Sequence, residues 1–251
     1  SCAKEYLEGF HGFLHTDAYV GYEKVQDVTR CLCWAHARRY FVDAIAPGVD
    51  DLSGSLAKEG IGQINKLFAI EQELAELSPG KRQEARLQRE KPLLQAFWSW
   101  IETQKGNVLP KSKLCQAMNY AAANRKGLEG YLQDGRCNIS NNLAEGSIRP
   151  FTIGRKNWLF SGSPKGATAS AAIYSLMETC KANEIDPYKY LIYLLEHLPN
   201  EPFQRQPEIL QKYLPWSLEI IKEALTAPLH VGDIFGIPIG IFQIVLVVGL
   251  I

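Results

Sequence analysis

The amino-acid sequence predicts a helix-rich fold of the α/β class. Two short runs typical of strands, Gly12 to Asp17 and Thr29 to Trp34, are each followed by residues at helical spacing. Alternation of strand and helix is typical of an α/β unit. A longer region, residues 52–133, has helical spacing almost throughout. A chain of 251 residues with this pattern is expected to form one domain with an insertion, or two domains.

The composition is that of an ordinary globular protein, with 46% hydrophobic and 22% charged residues. Because the formal net charge is zero, any contact with nucleic acid has to come from local clustering of cations. The segment from Lys111 to Lys165 has such clustering, with nine cations against three acids. Six cysteines without a signal peptide at the start indicate reduced thiols and a cytoplasmic protein.

The first strand candidate ends in an acid, Asp17. Open α/β sheets place their chemistry at the carboxyl ends of strands, which makes this carboxylate a candidate for function. Helical spacing at Tyr19, Tyr22 and Val25 follows directly, so Asp17 is equally suited to cap the next helix. The sequence leaves both interpretations open.

The second strand candidate leads into a helix with a basic first part. Cys31, Cys33 and His36 are potential metal ligands, but the second ligand pair of a structural zinc site is missing, which favours buried thiols. His36, Arg38 and Arg39 lie at the start of the helix. They predict either a phosphate-facing helix start or a solvated basic face.

Helical spacing predicts three helices between residues 52 and 133, arranged as a hairpin or bundle with charged outer faces. The first ends where Ser78, Pro79 and Gly80 break the pattern. The second runs from Arg86 to Glu102 and contains Pro92, which is tolerated only near a helix start or at a kink. The third runs from Lys113 to Gln133. The aromatic residues of this block are predicted to lie in the core.

Residues 140–163 carry an unusual density of amide, carboxylate and cationic side chains. Asn141 and Asn142 predict a helix start, because Asn side chains accept hydrogen bonds from unpaired backbone N–H groups. Within such a helix Glu145 and Arg149 share one face, and Pro150 is expected to end it. The alternative is a surface helix with an Asn cap and a solvated Glu–Arg pair.

Arg155, Lys156 and Trp158 follow the expected break at Pro150. They form a cluster suited to bind the phosphates of a nucleic-acid backbone and to stack on a base. A helix rich in small residues is predicted from Lys165 to Ala182. Asp186 followed by proline predicts the start of another, ending at His197.

The last 16 residues, from Gly236 to Ile251, are almost entirely apolar. A membrane-spanning helix needs about 20 residues. We therefore expect a packed extension, with a membrane anchor as the alternative. The chain contains no glycine-rich phosphate loop, no GxSxG and no HExxH.

Four strings occur in order along the chain: HTDAYVGY, CWAHARRYF, SNNLAEGSIRPFTIGRKNWLFSGS and YSLMETCKANEIDPYKYL. Together they resemble the transposases of the insertion-sequence-66 family, over residues from about 5 to 216. The resemblance implies a ribonuclease-H-like core in which two Asp and one Glu surround two divalent metal ions. Asp17 resembles the second aspartate and Glu145 the glutamate. Cys33 and His36 resemble a Cys-x-x-His string of such transposases.

This resemblance divides the chain into a first part of the core at 1–46, a helical insertion at 47–135 and a second part of the core at 136–198. A C-terminal segment at 199–226 and the apolar tail at 227–251 follow. Residues 1–16 contain no aspartate to match the family's first one, and Gly146 stands where a cation is usual. The expectation is therefore the carboxyl-terminal part of a transposase, as a fragment or a truncated relative.

The implied chemistry is two-metal cleavage and strand transfer of DNA by a homo-oligomer in the bacterial cytoplasm, associated with the nucleoid. Magnesium or manganese would be held by Asp17 and Glu145. We expect impaired activity with one acid missing, and no membrane insertion. The alternative is a non-catalytic DNA-binding or assembly module. The residues expected to contact DNA are Asn141, Asn142, Arg149, Arg155, Lys156, Trp158, His36, Arg38 and Arg39.

Overall fold

The computed structural model describes residues 2–48, 54–158 and 162–217, together with residue 220. The side chains of residue 2 and of residues 155–158 lie outside this description. The chain forms two compact units, residues 1–143 and residues 144–251.

The first unit contains a parallel pair of strands, β1 (Gly12–Thr16) and β2 (Val28–Leu32). The register places Gly12 opposite Val28 and Thr16 opposite Leu32. A short helix, α1 (Cys2–Tyr6), precedes them. The two strands confirm the predicted α/β class in a helix-rich chain, whereas a ribonuclease-H-like core remains a prediction.

The connection between the strands differs from the sequence prediction. A single 3₁₀ helix, Val20–Lys24, stands where the spacing of Tyr19, Tyr22 and Val25 predicted a longer helix. Asp27, with a φ of 58°, turns the chain into β2. The second strand also ends two residues earlier than predicted, because Trp34 already begins the next helix.

Helices make up the rest of the first unit. Ser55 and Ser112 act as N-caps, since their hydroxyl oxygens accept hydrogen bonds from the backbone N–H groups of Lys58 and Cys115. The third predicted helix is broken near Asn124 and ends in a 3₁₀ helix, Gly130–Gln133. The helices are α2 (Trp34–Asp43), α3 (Leu56–Glu73), α4 (Pro79–Gln104), α5 (Lys113–Ala123) and α6 (Arg125–Leu128).

Helix α4 corrects two predictions about proline. It begins at Pro79 rather than at Arg86, because a proline in the first turn lacks only an N–H that has no helical partner there. Pro92 consequently lies well inside the helix rather than near its start. The apolar residues that follow it, Leu94 and Phe97 among them, are buried in the core, and their burial offsets the lost hydrogen bond.

The core of the first unit is aromatic. Trp34 is fully buried and packs against Phe97 and Trp98, with ring centroids 5.5 and 5.8 Å away. Its indole N–H donates a 2.8 Å hydrogen bond to the carbonyl oxygen of Leu128. These contacts confirm that aromatic residues of the helical block, Phe97 and Trp98, lie in the core.

One buried arginine connects α3 and α4 with the loop around residues 131–137. Arg86 is fully buried and donates two hydrogen bonds, of 2.6 and 2.7 Å, to the carboxylate of Glu71. It also donates to the carbonyl oxygens of Tyr131, Asp134 and Cys137. This network fixes the loop that ends at Cys137.

The second unit is helical in its described part. The hydroxyl of Ser163 caps the helix that begins at Pro164 by accepting from Gly166 N–H. The carboxylate of Asp186 caps the helix that begins at Pro187 by accepting from Tyr188 N–H, as the sequence predicted. A small core contains Cys180, Ile185 and Tyr190. The helices are α7 (Asn142–Trp158), which begins at the end of the first unit, α8 (Pro164–Ala182) and α9 (Pro187–His197).

Helix α7 does not end at Pro150, contrary to the sequence prediction. It continues for two more turns to Trp158, with the proline inside it. The missing N–H and the ring affect the carbonyl of Gly146, four residues earlier, where glycine gives the backbone freedom to adjust. The cluster of Arg155, Lys156 and Trp158 therefore belongs to the same helix as Glu145, although its side chains lie outside the described ones.

The apolar tail, residues 227–251, lies outside the described residues, and so does the prediction of a packed extension or a membrane anchor at residues 236–251. Within the described part of the chain, no helix is both long enough and apolar enough to cross a membrane.

Candidate functional site

Asp17 lies directly after β1, at the carboxyl end of the parallel strand pair. Its Oδ1 accepts a 3.0 Å hydrogen bond from the backbone N–H of Tyr19, which forms the turn before the 3₁₀ helix. The guanidinium of Arg30 on β2 donates to the carbonyl oxygen of Asp17 at 3.0 Å and to the hydroxyl of Thr16 at 3.2 Å. Asp17 therefore lies at the predicted strand end and also stabilises the following turn, whereas its role in chemistry stays a prediction.

Glu145 lies in the first turn of α7 and is exposed. Arg149 follows one turn later on the same face and is also exposed. Glu145 belongs to the second unit, whereas Asp17 belongs to the first. A shared metal site of the two acids therefore stays a prediction.

The start of α7 is where the sequence placed it, but the predicted amide cap is not formed by Asn141. The helix begins at Asn142. The side-chain oxygen of Asn141 is buried and has no hydrogen-bond partner among the described residues. The position of Asn141 is fixed instead through its backbone N–H, which donates to Cys33.

Cys33 and His36, whose spacing matches the Cys-x-x-His string, contact each other at the start of α2. Burial acts to raise the pKa of the Cys33 thiol, but hydrogen bonds from the His36 side chain and from the backbone N–H groups of Asn141 and His36 outweigh it and lower the pKa. The backbone N–H of Trp34 donates to the carbonyl oxygen of Ile139 at 3.1 Å. The motif thus joins the start of α2 to the residues before α7.

An open cavity of about 490 Å³ collects three of the residues predicted to contact DNA, Arg38, Arg39 and Asn142. The Nε of Arg38 donates a 2.7 Å hydrogen bond to the side-chain oxygen of Asn65 on α3, which orients the guanidinium. Arg39 is exposed. The remaining lining residues are Ala35, Val42, Asn65 and Phe68. Two guanidinium groups and an amide around one cavity are suited to bind phosphate oxygens.

A cysteine pair missed by the sequence analysis lies at the strands. The thiol of Cys31 hydrogen-bonds Cys137, and this bond lowers the pKa of Cys137 to about 6, against burial, which raises it. The His15 side chain lowers the pKa of Cys137 further. The same hydrogen bond, with burial, raises the pKa of Cys31. More than a hundred residues separate Cys31 from Cys137, so no local spacing could predict their contact.

Models of known protein families match most of the chain. The family model described as "Transposase IS66 family" matches residues 1–169, and the model of the IS66 C-terminal element matches residues 175–216. A third model, described as a protein of unknown function (DUF1646), matches residues 207–251. The first two matches cover the four strings quoted above, except Tyr174 at the start of the fourth.

Three similar curated proteins come from Sinorhizobium fredii (strain NBRC 101917 / NGR234). The uncharacterized protein y4qI is 32% identical over 87% of this chain and 41% of its own length. The uncharacterized proteins y4hP and y4jD are 30% and 29% identical, over 85% and 86% of this chain and 41% and 43% of theirs. The chain thus spans about two fifths of the length of these relatives. No solved structure matches the chain significantly.

Proposed function

The chain belongs to the IS66 transposase family, and on that premise we propose that it carries out part of DDE-type DNA transposition, the cleavage and transfer of phosphodiester bonds. The observation that carries this proposal is the position of Asp17 at the carboxyl end of a parallel strand pair. The cavity lined by Arg38 and Arg39 adds support, because it is suited to bind phosphate. The proposed setting is bacterial DNA in the cytoplasm, acted on by a homo-oligomer.

Asp17 and Glu145 are proposed to hold divalent metal ions together. Both offer only carboxylate oxygens, a donor set that fits the hard cations Mg²⁺ and Mn²⁺. When bound, a pair of such ions activates the attacking oxygen and stabilises the leaving oxygen of an in-line displacement at phosphorus. In transposition the attacking group is first water and then the freed 3′-hydroxyl of the transposon end.

The other residues are proposed to bind and position the DNA backbone. Arg38 and Arg39 present guanidinium groups to one cavity, and Asn142 adds an amide to the same cavity. Arg149 is exposed on the face of α7 that carries Glu145. Arg155, Lys156 and Trp158 extend the same helix, and their contacts with DNA remain a proposal from the sequence.

Arg30 is proposed to position Asp17. Its guanidinium holds the backbone carbonyl of Asp17 and the hydroxyl of Thr16, which fixes the end of β1. The Asp17 carboxylate is thereby held at the strand end with one oxygen already engaged by the Tyr19 N–H. Pre-organisation of this kind keeps a ligand in place before the metal arrives.

A second proposal, of a different class, is a DNA-binding or assembly module without catalysis. The basic cavity favours it, because Arg38, Arg39 and Asn142 all lie in the first unit and need neither acid to bind phosphate. The two proposals predict different responses to metal ions.

Thermal unfolding with and without Mn²⁺ separates the two proposals. If Asp17 and Glu145 bind metal, Mn²⁺ should raise the Tm of the purified chain, and Asp17→Asn and Glu145→Gln should each remove this rise. Glu196→Gln, on the exposed surface of α9, is the matched control and should keep it. Salt-sensitive DNA binding without any Mn²⁺ effect would favour the module and contradict the catalytic proposal.

A further inference from the structure

Three potential metal ligands meet at the strand pair of the first unit. His15 on β1 and Cys31 on β2 are register partners in the parallel ladder, so their side chains project from neighbouring positions of the sheet. Cys137 comes from the loop after the 3₁₀ helix Gly130–Gln133. One ligand atom from each of the three residues lies within 4.8 Å of the other two.

The loop that carries Cys137 is held firmly in place. The backbone N–H of Cys137 donates to the carbonyl oxygen of Asp134 at 3.0 Å. Its own carbonyl oxygen accepts a 2.8 Å hydrogen bond from the buried guanidinium of Arg86. Two residues later, Ile139 accepts the hydrogen bond from Trp34 N–H. The position of the Cys137 thiol is therefore set by the core rather than by a mobile loop.

The other side of the cluster is equally tight. A Cβ atom at Gly130 would lie 2.7 Å from the carbonyl oxygen of Arg30 and 3.1 Å from the Sγ of Cys31. Glycine at this position lets the 3₁₀ helix approach β2 closely. The close approach confines the Cys31 thiol next to Cys137 and His15.

The buried imidazole of His15 has no well-formed hydrogen bond with any described residue. Both of its ring nitrogens are buried, and neither has a hydrogen-bond partner of ordinary geometry among the described residues. Buried polar atoms in native proteins nearly always have a partner, because leaving one without any is unfavourable. Cys31 and Cys137 are 1% and 5% exposed. A ligand between the three side chains would satisfy a ring nitrogen and both sulfur atoms.

We propose that His15, Cys31 and Cys137 bind one zinc ion. Two thiolates and one imidazole are the donors that zinc prefers, and they differ from the carboxylate oxygens proposed for Mg²⁺ or Mn²⁺. On binding, both thiols lose their protons to solvent, and two sulfur–zinc bonds and one nitrogen–zinc bond form without any redox change. A water molecule completes four-coordination.

A disulfide between Cys31 and Cys137 is the competing use of the same residues. It would leave both ring nitrogens of His15 without a partner, whereas zinc engages all three side chains. The site also differs from the Cys31, Cys33 and His36 set considered from the sequence, because Cys33 and His36 contact each other instead. Zinc would join β1, β2 and the loop before α7, and Asp17 follows two residues after the ligand His15.

Cobalt serves as the probe for this site. The full chain is purified under reducing conditions, stripped with a chelator and titrated with Co²⁺. We expect a thiolate-to-cobalt charge-transfer band that saturates at one Co²⁺ per chain and that one equivalent of Zn²⁺ abolishes. Cys137→Ser, Cys31→Ser and His15→Gln should each weaken binding by about a hundredfold or more, because loss of an outer-shell partner alone weakens it by up to that factor.

Two control variants are available in the same chain. Cys115→Ser on α5 and Cys180→Ser on α8 change thiols outside the cluster and should leave the cobalt spectrum and affinity unchanged. Substitution of the buried Cys31 could prevent folding, so circular dichroism spectra recorded without metal check that each variant is folded. His15 is only half-buried, so His15→Gln is expected to fold and tests the site even if a cysteine variant fails to fold.

The proposal is overturned by any of three results. The first is the absence of a charge-transfer band in the reduced wild-type chain. The second is an unchanged affinity in Cys137→Ser or in His15→Gln. The third is a spectrum that disappears in Cys33→Ser but persists in Cys137→Ser, because it would place the metal at a different cysteine.

Discussion

The backbone N–H of Trp34 donates a 3.1 Å hydrogen bond to the carbonyl oxygen of Ile139, two residues before Asn141. This bond joins the first residue of α2 to the segment that leads into α7. Cys33 strengthens the junction by accepting from the Asn141 N–H. The motif around Cys33 and His36 thus holds residues 139–141 against the start of α2, a structural role that the sequence alone did not reveal.

Trp34→Phe is expected to destabilise the chain by at least about 2 kcal/mol. It removes the hydrogen bond from the buried indole to Leu128 and leaves a small cavity in the aromatic core. Urea unfolding followed by circular dichroism measures the loss.

The control for that measurement is Trp100→Phe. Trp100 is only half-buried and donates a 2.9 Å hydrogen bond to Glu59 at the surface. Trp100→Phe should therefore lower the unfolding free energy by less than about 1 kcal/mol. Equal losses for the two variants would contradict the role given to Trp34.

Arg86→Met is expected to cost about 3–5 kcal/mol of unfolding free energy. It leaves the carboxylate of Glu71 and the backbone carbonyl oxygens of Tyr131 and Cys137 without their donor, and it removes one of the two donors to the carbonyl oxygen of Asp134. Arg89→Met is the matched control on the same helix, since Arg89 makes an exposed ion pair with Glu73 that is worth at most about 1 kcal/mol. A loss for Arg86→Met no larger than for Arg89→Met would refute the importance of this network.

Glu90 predicts how stability depends on pH. Burial raises the pKa of this carboxyl group to about 8, and the hydroxyl of Tyr131 donates a hydrogen bond to it. A raised carboxyl pKa means that the folded state favours the protonated form, so its stabilisation is complete below pH 4.5 and is lost as pH rises toward 8.

Glu90→Gln should therefore flatten the pH dependence of the unfolding free energy across that window. One group contributes at most about 1.4 kcal/mol per pH unit there. Parallel urea titrations at several pH values compare the variant with the wild type and with Glu84→Gln, an exposed residue of α4. Identical slopes for wild type and Glu90→Gln would be incompatible with this assignment.

Arg39→Ala is expected to weaken DNA binding about equally for all DNA sequences. The exposed guanidinium in the cavity is proposed to contact a phosphate, and each lost phosphate contact reduces the slope of log Kd against log salt concentration by about 0.9. Fluorescence anisotropy at several salt concentrations measures this slope. Arg89→Ala, outside the cavity, should leave it unchanged, and an unchanged slope in Arg39→Ala would exclude the cavity as a phosphate site.

Local sequence rules predicted much of the architecture. Asp186 caps α9 and the small residues of α8 form a helix, because caps and spacing depend on neighbours in the chain. The prediction that Pro150 ends its helix was wrong, and Pro92 lies inside α4 rather than near its start; in both places the helix continues through the proline. In α4, packing with distant residues offsets the missing hydrogen bond, and local sequence does not contain that packing.

The candidate site shows the same limit. The sequence identified Asp17, Arg38, Arg39 and Asn142 as candidates, and the structure brings the last three to one cavity. The sequence could not predict the contact of His15 with Cys137, because the strand register and the hydrogen bonds of Arg86 bring these two residues together. Interactions between distant parts of the chain thus explain why α4 continues through Pro92 and why the contact of His15 with Cys137 was missed.

The most direct test of the proposed transposase chemistry is iron-directed cleavage of the chain. Fe²⁺ takes the place of Mg²⁺ or Mn²⁺ at oxygen ligands, and with ascorbate and peroxide it cuts the backbone beside the site it occupies. The chain is first loaded with one equivalent of Zn²⁺, which keeps iron away from His15, Cys31 and Cys137. A metal site shared by Asp17 and Glu145 then predicts cuts near both residues, both suppressed by excess Mg²⁺ and both lost in Glu145→Gln. Cuts near only one of the two acids, or a cut at Asp17 that persists in Glu145→Gln, would contradict the shared site.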